Sequence, residues 1–303
     1  MKIHTVSSLI KIRTICDISS ELPQKQILLG GEEFSYQIAV ESNGDFPIVK
    51  VEIDSPLKDF AEIYNVKSAA MDMPEYKNNP DTDYLTHEPG LMPDILYPVL
   101  EQKNNLEFVN GLSVLWIRVK IPRDYKSGIY EFAVKLYEGE QSAETAIKFE
   151  VLGINMPKQG TRFTQWFYAD CIAAAHNTEI YSEKHWELID KYMAAAADVG
   201  VNMILTPVIT PPLDTKVGMR RPNVQLVQIL KNGDKYEFDF SLLERWLNLC
   251  DKHGIEYYEI SHLFSQWGLV YSPNISAFEN GEEKYIFGWD VKANNIRYKS
   301  FLE

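Results

Sequence analysis

The chain has 303 residues, of which 45% are hydrophobic, so it can bury a sizeable core and is long enough for two domains of about 150 residues. Its formal net charge of −13 argues against a nucleic-acid partner, because binding to phosphates needs clustered Lys and Arg side chains. No apolar run reaches the roughly 18 residues of a membrane span, and Lys11 and Arg13 interrupt the apolar residues near the N-terminus. Neither a membrane partner nor a secretory signal is therefore expected.

Three cysteines, Cys16, Cys171 and Cys250, lie far apart in the chain. An odd number of scattered cysteines is typical of reduced thiols and not of a disulfide scaffold. We therefore expect a cytoplasmic protein.

From the N-terminus to about residue 153, apolar residues alternate with polar ones, which is the pattern of half-buried β-strands. The alternation covers residues 34–40, 49–53, 115–121, 130–136 and 147–151. Short turn signals such as Gly30-Gly31 join several of these stretches, as in a β-sandwich. Residues 71–102 are rich in Pro, Asp, Tyr and Asn and are predicted to be a long loop. We assign residues 1–153 to an N-terminal β-sandwich domain and 154–160 to a linker.

Beyond the linker the pattern changes to alternating strands and helices. Strands are predicted at 163–167, 201–206 and 255–261, helices at 182–199 and 241–254, and the start of another helix at 294–302. Ser182 is the predicted N-cap of the first helix, and Ser241 forms a predicted capping box with Glu244. Such alternation is typical of a parallel sheet, but three βα units fall short of the roughly 250 residues of a closed (β/α)8 barrel. Residues 161–303 are predicted to be either an incomplete (β/α)8 barrel or a small open α/β sheet.

Aromatic and acidic residues lie on and just after the first predicted strand of this second domain. Trp166 and Tyr168 alternate along it, and Asp170 follows at its C-terminal end. Aromatic rings stack on the apolar faces of sugars while a carboxylate binds hydroxyl groups, so the three residues suit a carbohydrate subsite. The alternative for Trp166 is a place in the core, because large aromatic side chains are often buried. Asp170 is harder to explain as a core residue.

Histidines offer a second interpretation of the same region. His176 follows the first predicted strand and His262 the third, so with Asp170 they provide an alternative zinc-type metal site. None of the three is at helical ligand spacing, which favours hydrogen bonding to substrate or backbone instead, and neither a metal nor another cofactor is predicted. His185 and His253 lie on predicted helices and are expected to be solvated or to cap them.

The loop at 207–222 is stiffened by four prolines and carries Asp214, Arg220 and Arg221. A rigid polar loop after a strand is a plausible wall of a binding site, because preorganisation limits the entropy lost on binding. A surface ion pair between Asp214 and one of the arginines is the alternative.

Glu259 is the carboxylate that lies within the third predicted strand. Carboxylates are rarely buried unless they are paired, which makes Glu259 a candidate general acid. A retaining glycosidase of the two-carboxylate type needs a second carboxyl group about 5 Å away, and Asp170 is the candidate for it.

At these residues the sequence resembles the DUF4091 proteins, which are similar to glycoside hydrolase family 123, the β-N-acetylgalactosaminidases. The resemblance rests on residues 164–172, 202–207, 211–215 and 259–268, and in the first domain on 89–94 and 115–117. It implies a β-sandwich followed by a (β/α)8 barrel, and a retaining mechanism in which the acetamido group of the substrate takes part. In that mechanism an Asp orients the acetamide and the adjacent Glu is the general acid, an exception to the two-carboxylate scheme.

The chain departs from this family at the catalytic pair. No Asp-Glu dipeptide occurs between Thr161 and Glu303, so the catalytic residues are expected beyond Glu303. The residues that match the wall of a sugar site are Trp166, Tyr168, Asp170, His176, Arg220, Arg221, His262, Gln266 and Trp267.

The sequence thus predicts the N-terminal portion of a glycoside hydrolase, inactive by itself, whose partner is an N-acetylhexosaminide-like glycan. Self-association through the open barrel edge is also expected. Two alternatives stay open, namely a carbohydrate-binding module without catalysis and a metal-dependent hydrolase that uses Asp170, His176 and His262.

Overall fold

The computed structural model describes residues 1–42, 50–73, 75, 82–99, 106–213, 215–265 and 268–303. The chain divides into two compact units, Met1–Lys158 and Gln159–Glu303, and in both of them strands outnumber helices. Within the described ranges, every helix is too short or too polar to cross a membrane. The prediction of a multidomain, β-rich fold is therefore confirmed.

The first unit contains a five-stranded and a four-stranded sheet. In spatial order the first sheet consists of β1 (Lys2–Ser7), β3 (Glu33–Glu41), β7 (Leu112–Lys120), β5 (Ala61–Met71) and β6 (Gly90–Pro98), all with antiparallel neighbours. The second consists of β2 (Lys25–Gly30), β9 (Gln141–Asn155), β8 (Gly128–Glu138) and β4 (Lys50–Asp54), in which only the pair β2 and β9 is parallel. Two short 3₁₀ helices, Ile15–Asp17 and Lys58–Phe60, lie outside the sheets.

Both sheets contribute to one apolar core. Ile38 of β3 and Ile117 of β7 lie in the same buried cluster as Phe132 of β8 and Phe149 of β9. Phe132 and Phe149 meet edge to face, with ring centroids 5.7 Å apart. The alternation of apolar and polar residues therefore reflects strands with one face turned to a shared core, as predicted.

Part of the long loop predicted at 71–102 is a strand. β6 pairs with β5 along its length, from Tyr64 opposite Pro98 to Met71 opposite Gly90. Pro93 and Pro98 are typical of a loop, which is why the sequence did not predict β6 as a strand. An edge strand nevertheless tolerates proline, because its outer side has no partner in the sheet. Residues 74, 76–81 and 100–102 of the predicted loop, and Val49 of a predicted strand, lie outside the described residues.

The predicted linker begins inside a strand, since β9 continues to Asn155. The Asn155 side chain is bound to Asp124, whose backbone N–H donates to Asn155 Oδ1 across 2.8 Å. The assignment of the two units to a sandwich domain and to part of a catalytic domain stays a prediction.

The second unit is built around a three-stranded parallel sheet. Its strands are β10 (Thr164–Gln165), β11 (Met203–Thr206) and β14 (Tyr257–Ile260), in that spatial order. The helices of this unit are α1 (Ala169–Ala175), α2 (Glu183–Asp198), α3 (Ser241–Lys252) and α4 (Ile296–Leu302). Ile204 of β11 lies in one buried cluster with Trp186 of α2 and Trp246 of α3, so these helices cover one face of the sheet.

The ends of the two long helices show how the local sequence determines them. Ser182 caps α2 as predicted, since its Oγ accepts a hydrogen bond from the His185 backbone N–H. The predicted capping box at Ser241 is wrong by one position, because Phe240 is the N-cap and has no side-chain oxygen to accept a bond. The Ser241 backbone N–H instead donates to Asp239 Oδ1 across 2.8 Å.

A second sheet in this unit was missed by the sequence analysis. It consists of β13 (Lys235–Asp239), β12 (Gln228–Asn232), β15 (Ile275–Glu279) and β16 (Glu282–Phe287), in that spatial order. Two hairpins form it, and their two-residue turns are Gly233-Asp234 and Asn280-Gly281. Gly-Asp and Asn-Gly between strands are hairpin signals that could have identified both. Buried Tyr298 of α4 packs on its core beside Phe287, with ring centroids 5.1 Å apart.

Candidate functional site

The C-terminal ends of the three parallel strands bring part of the predicted site together. Trp166 directly follows β10, and its side chain is 46% exposed, so the alternative that it is a core residue is wrong. The indole Nε1–H donates to Glu259 Oε1 across 3.2 Å, and Thr164 Oγ1 donates to Glu259 Oε2 across 3.1 Å. Since β11 lies between β10 and β14, the Glu259 side chain spans the sheet to hold the exposed indole ring.

His262 packs against the indole ring of Trp166. The imidazole meets the Trp166 ring edge to face, with centroids 6.3 Å apart and planes at 85°. Among the described residues, the His262 Nδ1 atom is buried and has no hydrogen-bond partner. His262, Trp166 and Glu259 therefore form one cluster, which we call the indole cluster.

Asp170 has a different role from the one predicted. It lies in the first turn of α1, not at a strand end, and its carboxylate binds the Arg221 guanidinium through two bonds of 3.0 Å and 2.9 Å. Both side chains are nearly buried, at 8% and 10% exposure. This Asp170–Arg221 pair is bidentate, so each carboxylate oxygen already accepts one hydrogen bond, and the role of Asp170 as a sugar contact stays a prediction.

Arg221 also ties the proline-rich loop to α1. Its Nη1–H donates to the Leu213 carbonyl across 3.0 Å, and its guanidinium stacks on the Tyr168 ring at 4.1 Å. The acid that Arg221 pairs with in the structure is Asp170, and the surface ion pair with Asp214 that the sequence offered as an alternative stays untested. Asp214, the acid proposed for it, lies outside the described residues.

The neighbouring Arg220 contacts β16 instead, because its guanidinium carbon lies 4.1 Å from the centroid of the Tyr285 ring. Trp289 anchors the same segment, since its indole N–H donates to the Met219 carbonyl across 2.7 Å. The two adjacent arginines thus contact different elements, α1 and the second sheet, and are not brought together in one wall.

His176 contacts α2 and, among the described contacts, is not joined to the indole cluster. His176 is the C-cap of α1, and its Nε2 lies 3.0 Å from the Tyr192 hydroxyl of α2. Gln266 and Trp267 lie outside the described residues. Glu259 and Asp170 do not act as a carboxyl pair in this structure, because each is bonded to other partners.

The metal-dependent alternative finds no support in this geometry. Asp170, His176 and His262 contact Arg221, Tyr192 and Trp166 respectively. No three His, Cys, Asp or Glu side chains within the described ranges are grouped so that they could hold a metal ion.

His185 is a buried residue, contrary to the expectation that it is solvated or caps a helix. Its Nδ1 accepts the Tyr181 backbone N–H across 2.8 Å, which leaves the proton on Nε2 to be donated to the Ala169 carbonyl across 2.9 Å. Burial lowers the pKa of His185, so the neutral form is favoured. The residue fixes the loop between α1 and α2. By contrast, His253 is the C-cap of α3, and its Nε2 lies 2.6 Å from Asp190 of α2.

Two cavities open beside these elements. One lies under Pro211-Pro212 and Arg221 and has a volume of about 10 Å³, which is enough for about one water molecule and too small for a sugar. The other has a volume of about 540 Å³ and lies beside the loop between α1 and α2. This second volume falls in the range of small-ligand sites.

Residues 166–303 match the family model of the glycoside hydrolase 123 catalytic domain. The predicted resemblance to glycoside hydrolase family 123 is confirmed. The narrower DUF4091 grouping stays a prediction. No curated protein sequence matches the chain.

A solved family 123 glycoside hydrolase from Clostridium perfringens, whose structure is described as giving the details of glycolipid glycan hydrolysis, is similar in fold. The TM-score is 0.68 at 18% sequence identity, and the match covers 94% of this chain and 52% of that one. The chain thus spans about half the length of the family 123 structure. At this identity the match shows the fold and not the activity.

Two further solved structures match with low TM-scores. The N-terminal domain of PorA gives a TM-score of 0.26 at 12% identity, with coverage of 51% of this chain and 100% of that one. The CooA pilin subunit from enterotoxigenic Escherichia coli gives 0.22 at 11% identity, with coverage of 52% and 100%.

Proposed function

We propose that this chain is the N-terminal part of a family 123-like glycoside hydrolase, and that it binds a glycan ending in an N-acetylhexosamine. The observation that carries the proposal is the exposed Trp166 ring, which Glu259 holds at the C-terminal edge of a parallel sheet. This edge is where α/β barrels and open α/β sheets place their ligands. In this proposal β10, β11 and β14 are the first three strands of a (β/α)8 barrel.

The chemistry of the indole cluster supports a sugar ligand. An exposed indole ring offers a flat apolar surface for the C–H face of a pyranose, and sugar hydroxyls need hydrogen-bonding groups at the rim of that surface. His262 lies beside the ring as a half-buried polar side chain, although its Nδ1 atom is buried. Among the described residues, the side chains that contact the Trp166 ring are Glu259 and His262, and neither is a Lys or Arg, which favours a neutral sugar over a phosphorylated one.

Catalysis is not expected of this chain alone. Family resemblance implies an adjacent Asp and Glu, of which the Asp orients the acetamide of the substrate and the Glu protonates the leaving group. Residues 161–303 contain no such dipeptide. The two carboxylates near the strand ends, Asp170 and Glu259, are bonded to Arg221 and to Trp166 and Thr164.

A carbohydrate-binding module is the second candidate. The observation that favours it is that the indole ring is exposed and positioned while both nearby carboxylates are already engaged. Such a site would hold a sugar without cleaving it. The cytoplasmic location also stays a prediction.

Calorimetric titration with N-acetylgalactosamine tests sugar binding. We expect binding by the chain and a loss of about fivefold or more in affinity in Trp166→Ala, because stacking on an aromatic ring contributes about 1–3 kcal/mol in comparable base-stacking sites. Phe238→Ala is the matched control, since Phe238 is also 46% exposed and lies on β13, outside the indole cluster. Equal affinities for the wild type, Trp166→Ala and Phe238→Ala would refute the proposed site.

Hydrolysis is tested with a nitrophenyl β-N-acetylgalactosaminide. We expect no release of nitrophenol by the chain alone, and release by a longer version that continues through an adjacent Asp-Glu pair. Turnover by the 303-residue chain would show that catalytic groups lie within it, and would overturn the assignment of an inactive portion.

A further inference from the structure

The cavity of about 540 Å³ in the second unit has no role in the proposed binding at Trp166. It lies between the loop before α2, the segment that follows the proline-rich loop, and the hairpin of β15 and β16. Six of its lining residues are Glu179, Tyr181, Asn223, Gln228, Phe278 and Glu283.

One wall of this cavity is apolar and rigid. The Tyr181 ring stacks on Trp186, with centroids 5.0 Å apart and planes at 20°. Its hydroxyl donates to the Val224 carbonyl across 2.5 Å. The backbone of Tyr181 is held at φ 57°, in the left-handed region that non-glycine residues rarely adopt. These constraints fix the aromatic ring before any ligand arrives.

Another part of the lining is polar and preorganised. Asn223 Nδ2 donates to Glu283 Oε1 across 2.6 Å and to Ser276 Oγ across 2.7 Å, while its Oδ1 accepts from Thr210 Oγ1 across 2.6 Å. Buried Gln225 joins the same hydrogen-bonded layer, since its Nε2 donates to the Ser276 carbonyl across 3.1 Å. The amide and carboxylate are thus locked in place.

The charge of the lining selects the kind of ligand. Glu179 and Glu283 contribute two carboxylates, and the described residues that line the cavity include neither Lys nor Arg. Phosphate, sulfate or carboxylate ligands would be repelled. A neutral sugar fits, because its hydroxyls can donate to Glu179 and Glu283, bond the Gln228 amide, and place C–H groups against Tyr181 and Phe278.

We propose that this cavity is a second saccharide subsite, which binds an uncharged sugar of the same glycan next to the residue held at Trp166. This inference rests on the proposed function, because it requires that the second unit binds a glycan. The cavity is continuous in sequence with the proline-rich loop. Asn223 lies two residues after Arg221, whose pairing with Asp170 fixes the end of the proline-rich loop.

The test compares N-acetylgalactosamine with a disaccharide in which the same sugar is β-linked to galactose, both titrated into the full 303-residue chain. We expect Glu283→Ala and Gln228→Ala to weaken the disaccharide about fivefold to tenfold and to leave the monosaccharide unchanged. Glu282→Ala is the matched control, because Glu282 is the neighbouring exposed residue of β16 and pairs with Lys284 at 3.1 Å.

The outcomes separate this inference from the function on which it rests. If Trp166→Ala weakens both ligands while Glu283→Ala and Gln228→Ala weaken neither, the second subsite is refuted and the first stands. If Trp166→Ala changes neither ligand, the proposed function fails first. Equal losses in Glu283→Ala and Glu282→Ala would also overturn the subsite, because they would reflect net charge alone. Unchanged thermal unfolding of each variant shows that it is folded.

Discussion

The indole Nε1 of Trp166 donates to Oε1 of Glu259 across 3.2 Å, although the two residues are 93 positions apart and their strands are not neighbours. An exposed tryptophan without such a bond can rotate about its side-chain torsions, and a sugar must then order it on binding. The bond to Glu259 fixes the orientation of the ring before a ligand binds, so less conformational entropy is lost on binding. In the structure Glu259 orients the indole ring, whereas the sequence made it a candidate general acid.

Replacement of Glu259 by alanine is expected to weaken sugar binding about tenfold, because the indole loses the acceptor that fixes its orientation and because a charged hydrogen bond contributes roughly 1.5–3 kcal/mol. Glu259→Gln retains an amide oxygen as the acceptor and should recover most of the affinity. Titration with N-acetylgalactosamine measures both. Equal weakening in Glu259→Ala and Glu259→Gln would show that the negative charge, and not the orientation of the ring, matters.

Replacement of Asp170 by alanine should strongly destabilise the second unit. It would leave the Arg221 guanidinium nearly buried without its acid, and breaking a buried pair in this way costs about 3–5 kcal/mol. Replacing both partners, in Asp170→Ala with Arg221→Met, removes the unpaired charge and should recover a large part of the loss. Urea denaturation of the four proteins in this cycle gives the free energies of unfolding. Additive losses would mean that the two side chains do not act as a pair.

The stability of the second unit should fall as the pH falls below about 6.5, the ordinary pKa of histidine. Burial lowers the pKa of His185 in the folded protein, so the unfolded chain takes up its proton first and the free energy of unfolding falls with decreasing pH. The slope contributed by one such group is at most about 1.4 kcal/mol per pH unit, and it persists until the pH reaches the lowered pKa.

His185→Gln tests the origin of this slope. Glutamine does not titrate, yet it can accept from the Tyr181 N–H and donate to the Ala169 carbonyl as the neutral imidazole does. We expect the free energy of unfolding of the variant to vary less between pH 6.5 and pH 5 than that of the wild type. His253→Gln is the control, since His253 lies at the C-terminal end of α3 and contacts the Asp190 carboxylate in the middle of α2, away from His185. An unchanged slope in His185→Gln would assign the pH dependence to other groups.

Local patterns in the sequence were sufficient for the elements with strong periodicity. The alternation in β3, β7, β8 and β9 predicted strands whose inward residues fill one core, and Ser182 correctly marked the start of α2. β6 was missed because its prolines are typical of a loop. The hairpins of the second sheet were missed although Gly233-Asp234 and Asn280-Gly281 are hairpin signals.

Partners in the site were beyond the reach of these patterns. Asp170 and Arg221 were both identified as site residues, but they lie 51 positions apart in the chain, with α2 and β11 between them. The contact of Glu259 with Trp166 likewise depends on the order of strands in the sheet, which no local periodicity encodes. Residue type therefore predicted which side chains lie near the site. Which partner each side chain bonds depends on the fold.

Self-association through the outer edge of β14 is the remaining expectation. Within the described residues this strand pairs with β11 alone, so its other edge presents backbone groups without a strand partner, and Ile260 beside it is 53% exposed. Exposed edges of this kind pair with other chains, and a lysine on the edge opposes that pairing. Ile260→Lys should shift the protein towards the monomer in sedimentation velocity measured over a range of concentrations. Leu230→Lys is the control, because Leu230 is 45% exposed but lies on β12, which has neighbours on both sides. A wild-type chain that stays monomeric at all concentrations, or equal dissociation of both variants, would exclude the edge of β14 as the contact.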